Sequence, residues 1–421
     1  MAKWKPNTDP QTILDRLNRA KPSGAVTIRT SNSSASFDGF VFHEALAILE
    51  DSIEFQTDAS AAIRYRFCHD AAFAVGERAK MTADSFLAHV TQLELEYRSR
   101  PAKRYYLVTS INLDPNAVDY ARTRIGNTTI SFARSLPKKW RENRIELASF
   151  AKWSFYGDAP DNYLNVKVGT LERSIEDAAQ RSLDSLNVLR GIWNLGLNRS
   201  ISTRIPSSGG RQVPVNSVML GPLHTVHLES GELATEMWWY DPNYRGPLRL
   251  MTDQAKIERM LKYSTSFRQL LRGNHYVEYV TRALQRYVYS LDHFDQEDAF
   301  VQLWSTLEYL TGTLRDPSKT LVKRASFIFE DYDYSREVLS RLAELRNEIV
   351  HAGKDSAQIE TKLFMVKMFV EALIEFHVRR RFESPNLAFE FLDQPPQPDV
   401  LKRKLQEYRA ALSFRIPSPE T

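Results

Sequence analysis

The feature that most constrains the fold is the helical spacing of apolar residues in the second half of the chain. Between residues 257 and 376, apolar side chains recur every three or four positions in five successive stretches. The most regular stretch contains Val277, Val280, Leu284, Tyr287, Val288 and Leu291. This spacing places the side chains on one face of a helix, and five amphipathic helices with short links are typical of a helical bundle. We therefore predict an all-α domain over residues 251–385.

A different pattern precedes this region. The segment 241–247 contains two prolines and a glycine, which continue neither a helix nor a strand. Upstream of it we predict an α+β region over residues 1–250, made of one or two subdomains. Its predicted helices are Gln11–Arg19, much of 71–97 and a long helix beginning after Gly169-Thr170, with apolar positions from Ile175 to Trp193.

Its predicted strands are 105–111, 128–132 and segments of 215–240, with strands and turns between Val26 and Phe55 and an exposed loop at 207–210. The tail, 386–421, contains three closely spaced prolines (395, 396 and 398) and then a short predicted helix from about Val400 to Leu412. The fold class is thus α+β, with a helical bundle at the carboxyl-terminal side.

The composition of the chain indicates its cellular environment and the kinds of partner it can bind. The 56 basic residues against 52 acidic ones give a net charge of +4, which is compatible with a polyanionic partner without requiring one. There is no run of about 18–20 apolar residues, and the first residues lack the apolar segment of a signal peptide. Cys68 is the only cysteine, so neither a disulfide framework nor a cysteine zinc site is expected. We predict a cytoplasmic protein with no membrane partner.

The most informative segment is Leu-Arg-Asn-Glu-Ile-Val-His-Ala-Gly at residues 345–353. The apolar stripe of its helix consists of Val338, Leu342, Leu345 and Ile349. Because a helix turns by about 100° per residue, Asn347 and His351 share the face roughly opposite this stripe, together with Glu344. Arg346 lies on the flank between the two faces. The polar residues are therefore expected to point toward a cleft, solvent or a partner.

Arg346, the polar residue Asn347 and His351 reproduce the Arg-polar-x3-His pattern of HEPN domains, and the wording of the segment resembles the Apea-like branch of that family. A second element agrees, since residues 303–310 contain a Leu-Glu-x-Leu helix around Glu308 similar to the one that precedes the motif in that branch. Between them lies a basic–aromatic stretch around Arg324. The resemblance covers about residues 250–385, while the first 250 residues match no family that we can name.

The resemblance implies a homodimer that sets two motifs face to face and cuts RNA without a metal or cofactor. Arg346, His351 and Asn347 would be the catalytic residues, with Glu308 and Arg324 in supporting roles. The chemistry is coherent, because the 2′-OH of RNA is its own nucleophile and the protein need only move protons and stabilise charge. Histidine titrates near neutral pH, and arginine binds phosphate oxygens bidentately. The family context implies prokaryotic antiviral defence, with a protein or phage-derived activator.

Other interpretations stay open at this point. His351 before Gly353 also fits a helix end, where histidine complements the helix dipole and glycine adopts the left-handed conformation. Glu308 lies beside Trp304 on the edge of an apolar face, where it can simply pair with a basic side chain. If His351 and Glu308 have only these structural roles, the domain is a non-catalytic RNA- or protein-binding module, or a subunit of a larger defence complex. His224 and His227 are three residues apart in a predicted strand, so they point to opposite faces and make a poor metal pair.

Overall fold

The computed structural model describes residues 1–19, 26–30, 33–37, 39–76, 80–116, 118, 122–154, 158–198, 213–313, 318–352 and 358–415. Within these ranges the chain combines a six-stranded antiparallel sheet with many helices, which confirms the predicted α+β class. The predicted loop at 207–210 and the predicted helix cap at Gly353 lie outside the described residues.

The first hundred residues form a helical unit with two short strand pairs. Its elements are β1 (Lys3–Trp4), α1 (Pro10–Arg19), β2 (Val26–Thr30), β3 (Ser33–Phe37), α2 (Gly39–Asp51), β4 (Ile53–Glu54), α3 (Ala61–Gly76) and α4 (Ala83–Ser99). The helix predicted from Gln11 to Arg19 is confirmed. The prediction of strands and turns up to residue 55 is wrong for α2. Its residues Phe42, Leu46 and Leu49 recur at helical spacing and are buried in the hydrophobic core of this unit, where α2 packs on α1 and α3.

The central unit is built on the six-stranded sheet. Its elements are β5 (Lys103–Ile111), β6 (Arg122–Ile125), β7 (Thr128–Ala133), α5 (Lys138–Ser154), β8 (Leu164–Glu172), α6 (Ile175–Asn198), β9 (Leu223–His227) and β10 (Leu233–Tyr240). The strand order is β10-β9-β5-β8-β7-β6, and every neighbouring pair is antiparallel. The strands predicted at 105–111 and 128–132 are confirmed as parts of β5 and β7.

The sequence pattern does not indicate strand β8, because Gly169-Thr170 is typical of a break before a helix. Both residues instead pair with β5, in register with Tyr106 and Tyr105. A Cβ atom at position 169 would lie 2.9 Å from Cε1 of Tyr106, so glycine lets this ring approach the strand closely. The predicted long helix is confirmed, but it begins at Ile175, after the strand has ended.

Helix α6 belongs to two hydrophobic cores. Leu186, Leu189 and Trp193 pack on the sheet, whereas Val188, Ile192 and Leu195 pack among the helices that follow. A Cβ atom at Gly191 would lie 2.9 Å from the main-chain oxygen of Leu284, so glycine here permits the close crossing of α6 with the next helical layer. The sheet and the bundle therefore share one central helix.

The remaining elements are helical. They are α7 (Gln254–Arg272), α8 (Val277–Asp292), α9 (Gln296–Thr311), α10 (Ser318–Ser326), α11 (Tyr332–Ala352), α12 (Ile359–Arg379), α13 (Pro385–Leu392) and α14 (Pro398–Ser413). The five amphipathic helices predicted from the apolar spacing are confirmed as α7, α8, α9, α11 and α12, and the tail helix as α14. Helices α10 and α13 were not predicted. With nine and eight residues, they are too short for a repeated apolar pattern.

A buried ion pair joins α6 to the end of α8. The Nη2 atom of Arg190 lies 2.9 Å from both carboxylate oxygens of Asp292, and both side chains are almost completely buried. Asn216 donates a further hydrogen bond of 2.8 Å to Asp292. The carboxylate of Asp241, at the end of β10, lies close enough to Asp292 and Arg190 to be influenced by their charges.

This site makes a pH-dependent contribution to stability. Burial raises the pKa of Asp241 to about 6, and the charge of Asp292 acts in the same direction. In the unfolded chain the group titrates near pH 4. The folded state therefore holds an extra proton between about pH 4 and 6, and its stability falls as the pH rises through this window.

An Asp241→Asn variant keeps the oxygen that accepts the hydrogen bond from the Asn243 main-chain N–H, and it removes the charge. We expect it to be more stable than the wild type above pH 6 and equally stable below about pH 4. Urea unfolding of both proteins at the two pH values measures this. A stability difference independent of pH would contradict the assignment.

Candidate functional site

Helix α11 buries one face in the bundle and exposes Asn347 and Glu344 on the other. Leu339, Leu342 and Ala343 are buried, and Val338, Leu345 and Ile349 are partly buried against the bundle core. These residues include the whole predicted stripe, which is confirmed. Asn347 and Glu344 are exposed, as their positions opposite the stripe require. The periodicity of the sequence thus sets which residues of α11 face outward.

Arg346 lies between these two faces and has contacts on both sides. Its Nη1 atom donates a hydrogen bond of 3.2 Å to Oδ1 of the adjacent Asn347. Its Nη2 atom lies 3.7 Å from Oε1 of Glu308 on α9. The side chain of Arg346 is 31% exposed and that of Glu308 is 21% exposed, so the guanidinium is held at the surface, accessible to an anion.

Glu308 connects this surface to the interior. The indole Nε1 of Trp304, one turn earlier on α9, donates a hydrogen bond of 3.1 Å to the same Oε1 atom that faces Arg346. Because Trp304 is buried in the bundle core, its indole N–H holds the carboxylate of Glu308 in a fixed position. The Leu-Glu-x-Leu helix and the Arg346 motif therefore meet, and the basic partner that the sequence left open for Glu308 is Arg346.

His351 is in the last turn of α11, which extends through Ala352. Positions 347 and 351 are thus one helical turn apart, as predicted from the sequence. The side chain of His351 lies outside the described part of the structure, and so does Gly353.

Arg324 makes its hydrogen bonds at another place, to Asp393 and Thr311. Its Nε and Nη2 atoms form a fork to the two carboxylate oxygens of Asp393, at 3.0 and 2.7 Å, and its Nη1 atom donates to the main-chain oxygen of Thr311 at 2.7 Å. Its guanidinium also lies over the ring of Phe389. The hydrogen bonds and charge of Arg324 hold the pKa of Asp393 below its usual value. These contacts assign Arg324 to fastening α13 onto the ends of α9 and α10, while Arg346, Asn347 and Glu308 form the surface cluster.

Two arginines that the sequence analysis did not single out lie on the α8 side of α9. The Nη2 atom of Arg286 donates to the hydroxyl of Ser305 at 2.6 Å, and its guanidinium lies over the ring of Tyr309, 5.4 Å from the centroid. Burial lowers the pKa of Arg286, and the positive charge of Arg282 one turn earlier lowers it further. Ser305 and Tyr309 flank Glu308 in the sequence. A search for basic residues one turn apart in α8 would have found this pair.

Arginines therefore lie on two sides of α9, with Arg346 on the α11 side and Arg286 and Arg282 on the α8 side. Arginine stays charged at physiological pH, and an exposed planar guanidinium matches the geometry of phosphate oxygens. Among the described residues, no group of three histidine, cysteine, aspartate or glutamate side chains is placed to hold a metal ion. The described part of this surface is therefore suited to binding an anion through arginine.

The remaining sequence candidates have structural partners. His224 and His227 are buried on opposite faces of β9, as predicted; His224 contacts Oγ1 of Thr109 at 2.7 Å, and His227 contacts Oγ1 of Thr225 at 2.9 Å. Burial lowers the pKa of His224 to about 3 and that of His227 to about 4, so both rings are neutral near pH 7. Burial also raises the pKa of Cys68, which makes it a poor nucleophile.

No protein-family model, curated protein sequence or solved structure matches this chain. None of the helices in the described ranges has both the length and the apolar character needed to cross a lipid bilayer.

Proposed function

We propose that this chain is a metal-independent endoribonuclease of the HEPN type that acts as a homodimer. The observation that supports the proposal is the meeting of Arg346, Asn347 and Glu308 on an exposed surface. These residues come from the two sequence elements that resemble the Apea-like branch, and they are separated by about 40 positions in the chain. The resemblance supplies the reaction, and the exposed guanidinium supplies a site for the phosphate.

In the proposed mechanism, His351 of one protomer removes the proton from the 2′-OH of the substrate. The 2′-oxygen attacks the adjacent phosphorus, and negative charge develops on the phosphate oxygens. Arg346 stabilises this charge, and Asn347 orients the guanidinium. The bond from phosphorus to the 5′-oxygen breaks, and the leaving oxygen takes a proton from a protonated histidine of the partner subunit. The products are a 2′,3′-cyclic phosphate and a 5′-OH end.

The wider role follows the same proposal. Residues 1–250 would sense a trigger or select the substrate, and a protein or phage-derived activator would release the activity during prokaryotic antiviral defence in the cytoplasm. We propose RNA as the substrate class, because only RNA carries the internal nucleophile that this mechanism uses.

One observation favours a second candidate. The carboxylate of Glu308 lies beside Arg346 and partly neutralises the charge that a phosphate would need. In a non-catalytic RNA- or protein-binding module, or a subunit of a larger defence complex, this ion pair would serve to join α9 to α11. Activity measurements distinguish the two candidates.

The direct test is cleavage of single-stranded RNA by the purified full chain in excess EDTA. We expect cleavage to persist, with products that carry 2′,3′-cyclic phosphate and 5′-OH ends. DNA of the same sequence should bind without being cut, because it lacks the 2′-OH. Mass spectrometry of the products identifies the ends. Complete inhibition by EDTA, or 5′-phosphate ends, would exclude the mechanism.

A further inference from the structure

Helix α14 carries an apolar stripe that the described part of the chain leaves largely exposed. Leu401, Leu405, Tyr408 and Leu412 recur at intervals of four, three and four residues, which aligns them along one face. No residue of α14 is buried; Leu405 is 50% exposed, Tyr408 is 65% exposed and Leu412 is 56% exposed. Singly exposed apolar residues are ordinary on protein surfaces, whereas an aligned apolar face marks an interaction surface.

The charges beside the stripe oppose pairing of α14 with a second α14. The helix contains four basic residues, Lys402, Arg403, Lys404 and Arg409, against two acidic ones, Asp399 and Glu407. Lys402, Lys404 and Arg409 directly flank the stripe, so two such helices packed along it would bring cations together. The preferred surface for α14 is therefore acidic with some exposed apolar area.

The corner at the beginning of α11 has these properties. Residues 330–344 contain five carboxylates, those of Glu330, Asp331, Asp333, Glu337 and Glu344. Arg336 pairs with Asp333, and Arg341 pairs with Glu337 and Glu344, so the segment keeps an excess of three negative charges. Tyr334 is 65% exposed in the middle of this corner, and Ile328 and Phe329 just before it are only partly buried. We call these residues, 328–344, the acidic corner. It ends two residues before Arg346, so a helix lying on it leaves the motif uncovered.

We propose that α14 of one protomer docks on the acidic corner of a second copy, and that the exchange is reciprocal. Because both surfaces belong to one chain, a two-fold axis satisfies both contacts at once. A 16-residue helix is about 24 Å long and roughly 10 Å wide. Two such contacts bury about 1,000 Å² counted over both partners, which is the area of a small specific interface. The α14 exchange thus holds the dimer together beside the motif.

The test is the oligomeric state of the full chain at micromolar concentration, measured by sedimentation velocity. We expect a dimer for the wild type and a monomer for the Leu405→Asp, Leu412→Asp double variant, with a dissociation constant raised at least tenfold. The matched control is Gln406→Asp, which adds a carboxylate to the same helix off the stripe and should leave the dimer intact. Circular dichroism checks that α14 variants keep the wild-type helical content.

Charge exchange tests the identity of the docking surface. Lys402→Glu with Arg409→Glu should weaken the dimer, and so should Asp333→Lys with Glu337→Lys, whose side chains are exposed. Combining all four substitutions in one chain should restore the dimer, because the two surfaces are again of opposite charge.

Two outcomes overturn this inference alone, because neither depends on cleavage. A dimer that persists in the Leu405→Asp, Leu412→Asp variant overturns the docking of α14 and leaves the ribonuclease proposal standing. The docking is also overturned if the Leu405→Asp, Leu412→Asp variant stays dimeric but loses affinity for RNA, because α14 would then contact nucleic acid. A monomeric wild-type chain overturns both the docking and the composite dimeric site.

Discussion

Replacing His351 or Arg346 with alanine is expected to abolish most RNA cleavage while leaving the fold intact. Loss of a residue that moves protons costs about 10²–10⁴ in rate, and loss of a donor to the developing charge costs about 10²–10³. The side chain of Arg346 is 31% exposed on the flank of α11, so Arg346→Ala removes no residue of the bundle core. Initial rates under saturating RNA, with circular dichroism as the folding check, measure the effect.

Asn347 and Glu308 provide graded variants of the same experiment. Asn347→Ala should be milder than Arg346→Ala, because Asn347 only receives the hydrogen bond that orients the guanidinium. Glu308→Gln keeps an oxygen for the Trp304 indole and removes the charge beside Arg346, so it tests the ion pair without opening the core.

The matched control is Arg141→Ala, which removes an exposed arginine from α5 and should leave the rate unchanged. Full activity in His351→Ala would disprove the proposed proton transfer and favour the binding-module alternative.

The second large effect concerns stability. Asp292→Ala leaves the guanidinium of Arg190 buried without its bidentate partner, and Arg190 is only 1% exposed. Removing one member of a buried ion pair costs about 3–5 kcal/mol, because the remaining charge stays desolvated. Guanidinium unfolding monitored by tryptophan fluorescence measures the free energy of unfolding. We expect a loss of this size at pH 7.

Two comparisons make this prediction specific. The exposed pair between Glu44 and Arg16 has side chains 40% and 58% exposed, and Glu44→Ala should cost less than about 1 kcal/mol. The double variant Arg190→Met, Asp292→Leu removes both charges and should recover most of the stability lost in Asp292→Ala. If the double variant is as unstable as the single one, the loss arises from packing and not from an unpaired charge.

The sequence by itself determined the elements in which a local period repeats. The apolar positions of α8 and α11 recur often enough to define both the helix and its buried face. The exposure of Asn347 follows from this period, because a helix fixes the direction of every side chain once one face is assigned. Strand β5 was equally clear from its β-branched and aromatic residues. Elements with fewer repeats, such as α10, α13 and the short strand β6, gave no such signal.

Only the tertiary structure decided which faces meet. In the folded chain Glu308 lies beside Arg346, and Arg324 pairs with Asp393. Strand β9 pairs with β5 although more than 100 residues separate them, and α6 contributes side chains to two hydrophobic cores. An apolar stripe indicates that one face of an element is buried, but many different helices or strands can cover that face with a similar gain in free energy. Which neighbour covers the face depends on how well the side chains fit and on whether buried polar groups find partners. These are properties of the folded interior, and they produce no repeating pattern in the sequence.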